Sequence, residues 1–124
     1  MKILVVDDER DVEMLFRQRF RKEIRTGILD FRFAFSGEEA LHVMRSMEQQ
    51  AVLILSDINM PGMTGLELLE KIRSGYENPP PVVMMITAYG DEQNRTTAER
   101  LGANDFLTKP LDFNLLKEKL NALN

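Results

Sequence analysis

The chain has 124 residues, enough for one domain around one substantial core and too few for two. Its apolar share of 44% and charged share of 29% are those of an ordinary globular protein, and no apolar run approaches the roughly 18 residues that cross a bilayer. A net charge of −4 argues against nonspecific nucleic-acid binding by this domain, and the lack of cysteine excludes a disulfide framework or thiolate metal site and fits the cytoplasm.

Five strand-like runs alternate with helix-like stretches. The N-terminal run, Lys2–Val6, meets acidic residues at once and so does not read as a signal peptide. Lys2–Val6, Val52–Ser56 and Val82–Thr87 are nearly continuous apolar runs, as parallel strands covered on both faces require. Phe31–Phe35 partly alternates and Asp105–Thr108 is short, so both suit sheet edges. Between them the period becomes helical. Val12, Leu15, Phe16, Phe20 and Ile24 share one face of a first helix, Ala40, Leu41, Met44 and Met47 of a second, and Leu66, Leu69 and Ile72 of a third. Ser36–Glu39 and Thr64–Glu67 are capping boxes, and Asp91 and Asp112 are N-cap candidates for the fourth and fifth helices. Ser74 to Pro81 reads as a connector whose prolines forbid helix.

The pattern βαβαβαβαβα with right-handed crossovers predicts one three-layer α/β sandwich over residues 1–124, a parallel sheet in the order 2-1-3-4-5 with helices on both faces. Ligands of such sheets bind at the carboxyl ends beside the switch between strands one and three. Asp7, Asp8 and Glu9 end strand one, Ser56 and Asp57 strand three, and Thr87 and Ala88 strand four, while Lys109 follows strand five. Carboxylates, a hydroxyl and an ammonium from four separate segments thus share one rim.

Carboxylates crowded together repel, and a hard divalent cation relieves them; Mg²⁺ takes about six oxygens near 2.1 Å and keeps several as water. Asp8 and Asp57 are direct ligand candidates, with a backbone carbonyl from the loop after strand three, and Asp7 acts through water. Asp57 is then a nucleophile for a phosphoryl group, whose equatorial oxygens would meet Mg²⁺, Lys109, the Thr87 hydroxyl and the Ala88 N–H. The one histidine, His42, lies on the second helix away from this rim.

The segments Leu4–Glu9, Leu55–Leu66, Ile86–Ala88 and Phe106–Pro110 together strongly resemble the receiver domain of two-component response regulators, along the whole chain. The resemblance implies a flavodoxin-like fold and a domain that catalyses only its own phosphorylation and slow dephosphorylation. Asp57 would accept phosphate from the phosphohistidine of a sensor histidine kinase or phosphotransfer protein. Asp7, Asp8, Asp57 and the Asn59 carbonyl would hold Mg²⁺. Thr87 and Lys109 would contact the phosphoryl group, and Thr87 and Phe106 would form a switch pair. The switched surface, helix four, strand five and helix five, would be read by a downstream effector domain or protein, or by a second copy of the chain in a homodimer. A cis Lys109–Pro110 bond is also implied, with Asn59 and Tyr89 at positions that tune hydrolysis. Phe106 stands where tyrosine is also common, so no ring hydroxyl is available to a partner.

Bland readings compete residue by residue. Asp7–Glu9 alone is a strand exit feeding a helix N-terminus, and Asp57 alone a turn residue. Their joint placement with Thr87 and Lys109 outweighs these. Arg17, Arg19, Arg21, Lys22 and Arg25 form a basic streak that reads as a solvated face. The eight methionines are core filler except Met60 and Met63, in the loop beside the site. Helix four, Asp91–Leu101, has only Ala98 and Leu101 as apolar anchors.

Two rival functions fail on specific residues. A haloacid-dehalogenase-type phosphatase needs a second Asp as general acid two residues after the nucleophile, where Asn59 stands. In a flavodoxin-like cofactor carrier, Asp7, Asp8 and Glu9 would repel phosphate where a cradling loop is needed. No Gly-x-x-x-x-Gly-Lys motif supports a nucleotide hydrolase.

Overall fold

The computed structural model describes residues 1–47, 53–75 and 80–123. Five strands, β1 (Lys2–Val6), β2 (Asp30–Ala34), β3 (Leu53–Asp57), β4 (Val82–Thr87) and β5 (Asp105–Thr108), form a parallel sheet in the order β2-β1-β3-β4-β5. The expected order and edges are met. Val52, expected to open β3, lies outside the described residues; the strand runs one residue further than expected, so Asp57 is itself its last residue.

Alternation along the strands divides the core in two. Leu4, Val6, Ile54, Val83 and Met85 face one side, under α3 (Gly37–Ser46), α4 (Gly65–Gly75) and α5 (Glu92–Arg100). Ile3, Val5, Leu53, Leu55, Met84 and Ile86 face the other, under α1 (Asp11–Arg19), α2 (Arg21–Arg25) and α6 (Phe113–Ala122). Both faces of the central strands are therefore dry, which is why their sequences do not alternate polar with apolar. Phe16 anchors the second cluster, its ring 5.9 Å from Phe20, 5.6 Å from Phe31 and 5.2 Å from Phe113.

The predicted first helix is two helices. Phe20 (φ −113°, ψ 24°) bends the chain between α1 and α2, although its N–H still bonds the Phe16 carbonyl at 2.9 Å and its carbonyl accepts from Ile24 N–H at 2.9 Å. The periodic face continues through the bend because it records burial, not ψ; only Leu15 departs, 41% exposed. The connector expected from Ser74 begins later, since α4 includes Ser74 and Gly75. The prolines begin only at Pro79, and the Ser74 hydroxyl donates to the Lys71 carbonyl at 3.1 Å. Residues 76–79 of that connector lie outside the described residues. Leu68, not included in the predicted apolar face, is fully buried on α4.

The caps fall where expected. Ser36 accepts from Glu39 N–H at 3.0 Å, and Thr64 and Glu67 satisfy each other's backbone N–H groups. Asp91 accepts from Asn94 N–H, and Asp112 from Asn114 and Leu115 N–H. At the other end of α5 the Gly102 and Ala103 N–H groups return to Glu99 and Ala98 carbonyls, with Gly102 at φ 101°. That is a Schellman closure, which the glycine makes free of Cβ strain. Arg73 of α4 braces it, donating to the Gly102 carbonyl at 3.0 and 2.8 Å, to Pro81 at 2.8 Å and to Asn104 Oδ1 at 2.7 Å.

Candidate functional site

Sheet register assembles the site. Val6 pairs with Ser56, and Asp57 with Ile86, so Asp7, one residue past β1, stands beside the end of β3. Asp7 N–H extends the ladder to the Ala34 carbonyl at 3.1 Å, which fixes the direction in which the chain leaves β1. Carboxylate oxygens of Asp7, Asp8 and Asp57 all lie within 4.8 Å of one another. Asp7 and Asp57 are buried, at 5% and 3% exposure, whereas Asp8 is exposed.

Their remaining partners are specific. Lys109 Nζ donates to Asp57 Oδ2 at 2.6 Å, Asn59 N–H donates to Asp57 Oδ1 at 3.3 Å, and Glu9 N–H donates to Asp7 Oδ1 at 2.9 Å. Burial raises the Asp7 carboxyl above its ordinary range, with the charges of Asp57 and Glu9 adding, against the Glu9 N–H and Lys109, which lower it. For Lys109 burial works downward, but the hydrogen bond and charge of Asp57, then Asp7 and Glu9, outweigh it and the ammonium is raised. The Lys109–Pro110 bond is cis, as the resemblance implied.

The donor set fits Mg²⁺. An octahedron of radius about 2.1 Å has edges of about 3 Å and a span of about 4.2 Å, so three oxygens within 4.8 Å need only small rotations to become its ligands. Hard anionic oxygens with room for water are what that ion selects.

Thr87 reaches the rim buried, at 3% exposure, with its hydroxyl directed to the Leu107 carbonyl of β5 at 3.5 Å, the outer limit of a hydrogen bond. Ala88, next in the chain, is exposed, and its carbonyl accepts from Asp91 N–H. Phe106, part-buried on β5, packs against the cluster under α3, α4 and α5. Tyr89 is 89% exposed. Met60 corrects an expectation: although in the loop after β3 it is only 6% exposed and belongs to the core, because the chain dips inward before Pro61. Met63, half-buried, lies over Gly37, and its N–H donates to Glu38 Oε1 at 3.3 Å, tethering the loop to α3.

Two contributors escaped the sequence reading. Gly65 passes so close to Asp57 that a Cβ there would overlap the Asp57 carbonyl and Ile58 Cα, and its N–H donates to the Ile58 carbonyl at 2.8 Å. Its signal was a glycine in the first turn of a helix, where alanine is intrinsically better. Ser56 was placed at the end of its strand from sequence but without a role: its buried hydroxyl donates to the Asp57 carbonyl at 3.0 Å, a backbone partner the sequence does not signal.

Fold and site define a doubly wound parallel domain with an acid pocket and a lysine at its switch point. The chain belongs to the response regulator receiver domain family, whose model matches residues 3–121. It is 38% identical over 122 residues to a chemotaxis protein CheY homolog of Campylobacter jejuni, covering 97% of this chain and 89% of that protein. To the transcriptional regulatory protein CpxR of Escherichia coli it is 33% identical over 122 residues, covering 98% of this chain but 48% of CpxR. A solved response regulator receiver domain protein from Clostridium thermocellum superposes with a TM-score of 0.83 at 25% identity, covering 98% of this chain and 91% of that one. The chain is thus a receiver domain of two-component signalling, with an acid pocket of the kind that binds Mg²⁺ in this family. Among the described residues, no helix is long and apolar enough to cross a membrane.

Proposed function

We propose that Asp57 is the phosphoacceptor of a phosphorelay, that Asp7, Asp8, Asp57 and the Asn59 carbonyl hold Mg²⁺ beside it, and that the whole of residues 1–124 serves this one cytoplasmic receiver. The observation that carries the reading is the convergence of three carboxylates within 4.8 Å with Lys109 2.6 Å from Asp57. Bound there, Mg²⁺ would supply charge neutralisation for the phosphoryl oxygens. An Asp57 carboxylate oxygen forms the new bond to phosphorus as the bond to the histidine nitrogen of a kinase or phosphotransfer protein breaks, and the imidazole keeps that electron pair. Lys109 moves its ammonium from the carboxylate onto a phosphoryl oxygen, while the Thr87 hydroxyl and Ala88 N–H take the others.

Thr87 is the link to output. Its hydroxyl loses only the long bond to Leu107 when it turns to the phosphoryl group, and Phe106 follows into the space behind it. The readout is the α5–β5–α6 face, where Ala98 is the one buried residue of α5. An effector domain, a separate effector protein or a second copy reads that face. The domain turns over no other substrate, and Tyr89 screens the path of the hydrolytic water, so Tyr89→Ala shortens the phosphorylated lifetime.

Acetyl phosphate with Mg²⁺ tests the reading. A base-labile adduct on Asp57, abolished by EDTA and absent from Asp57→Asn, is expected. No adduct on the wild type refutes it, and rapid turnover of a general phosphomonoester would point instead to a phosphatase.

A further inference from the structure

The α5 helix is held mainly at one end. Ala98 is buried, Leu101 half-buried, and Arg73 braces the closure that follows. Nearer the acid pocket, its contact with β5 is Arg95, whose guanidinium carbon lies 4.7 Å from the centroid of the Phe106 ring. Arg95 Nε also stands 3.7 Å from Glu99 Oε1, one turn along, so the side chain is drawn along the helix and across the ring.

We infer that Arg95 is a positioning residue whose guanidinium, stacked on Phe106, holds the ring in its present place and opposes the phosphorylated arrangement. This deepens the proposed function and rests on it. A ring that turns in behind Thr87 gives up the guanidinium, whereas the unphosphorylated state keeps it. An interaction present in one of two states biases the equilibrium between them by its own free energy. A flat guanidinium over an aromatic face is attracted by the ring quadrupole, and lysine does not reproduce the stacking.

The test uses the intact chain and beryllofluoride with Mg²⁺, a phosphoryl mimic for Asp57, followed by isothermal titration. Arg95→Ala and Arg95→Gln are expected to bind it about two- to fivefold more tightly than wild type, the change that an exposed cation–π contact corresponds to. In a Phe106→Leu background the same substitutions change affinity little, because the ring they act through is gone. A purely structural role lowers the melting temperature without tightening the complex, and that outcome overturns the inference. Equal gains in both backgrounds overturn it too, since Arg95 would then act through Glu99, through the charge of Asp105 on β5, or through the helix. Wild type that binds the mimic normally while the Arg95 variants match it refutes this inference alone. Wild type that binds none refutes the phosphoacceptor reading and this one with it.

Discussion

Lys109 Nζ rests 2.6 Å from Asp57 Oδ2, joining residues 52 positions apart in the chain. The ammonium is therefore already at the proposed acceptor before any donor arrives. Charge-assisted hydrogen bonds are worth about 1.5–3 kcal/mol, and with the lysine side chain 40% exposed the lower end applies. Lys109→Gln is expected to slow adduct formation from acetyl phosphate by about tenfold or more, measured by intact-protein mass spectrometry over time.

Asp7 makes the metal-free pocket a cost to the fold. Its folded-state carboxyl is raised, first by burial, so the protonated form is favoured on folding. Its stabilising contribution is present below the ordinary aspartate range and is lost as pH rises through the raised value. In EDTA, Asp7→Asn is expected to melt higher than wild type at pH 7, with the gain shrinking as pH falls. Mg²⁺ should narrow or reverse the order, because wild type, with all three carboxylates, gains the larger binding term, about 2.7 kcal/mol at a hundredfold excess over Kd. Thermal unfolding with and without Mg²⁺ reads both effects.

Gly65→Ala places a methyl group against the Asp57 carbonyl and Ile58 Cα, backbone that cannot rotate away. Overpacking of this kind costs about 1–3 kcal/mol. Urea unfolding should show a loss of that size, and phosphoryl uptake should fall with it because the acceptor itself is displaced. Unchanged uptake would separate the glycine from the site.

Lys119 Nζ bonds Asp105 Oδ2 at 2.7 Å and ties α6 to β5. Burial alone would raise the Asp105 carboxyl, but Lys119, the Phe106 N–H and the charge of Arg95 hold it below its ordinary range. A depressed acid stabilises above its unfolded value, and the contribution is lost as pH falls through the folded one. Lys119→Ala should therefore cost about 0.5–1 kcal/mol at pH 7 by urea unfolding and nearly nothing in strong acid, the pair being partly exposed.

Sheet order and the acid rim were legible because they depend on period and on residues at strand ends. Leu4 and Ile54 face one side while Ile3 and Leu53 face the other, and the unbroken apolar runs record both sides at once. Asp7, Asp57, Thr87 and Lys109 could be placed together because parallel strands deliver their carboxyl ends to one edge. The bend at Phe20 could not be read, since the residue is apolar and on the expected face whichever ψ it adopts. Arg73 was equally silent: three of its four hydrogen bonds go to the carbonyls of Gly102 and Pro81, which leave no trace in side-chain chemistry, and the fourth goes to Asn104, a neutral side chain 31 positions away. Gly65 lay within a capping box that explained its neighbours and masked its own role.

The brace at Gly102 makes α5 a lever. With its C-terminal end pinned by Arg73 and its closing turn, any displacement of the helix is a rotation about that end. Nine residues at about 1.5 Å each put the other end about 13 Å from the fulcrum, so a tilt of roughly 10° carries it about 2 Å. The moving end, at Asp91 and Glu92, is the one that follows Thr87 and Ala88 in the chain. A movement at the rim is thus applied at the free end of the helix, where the outer face sweeps farthest, and it dies away toward the opposite end, which stays in register with the sheet.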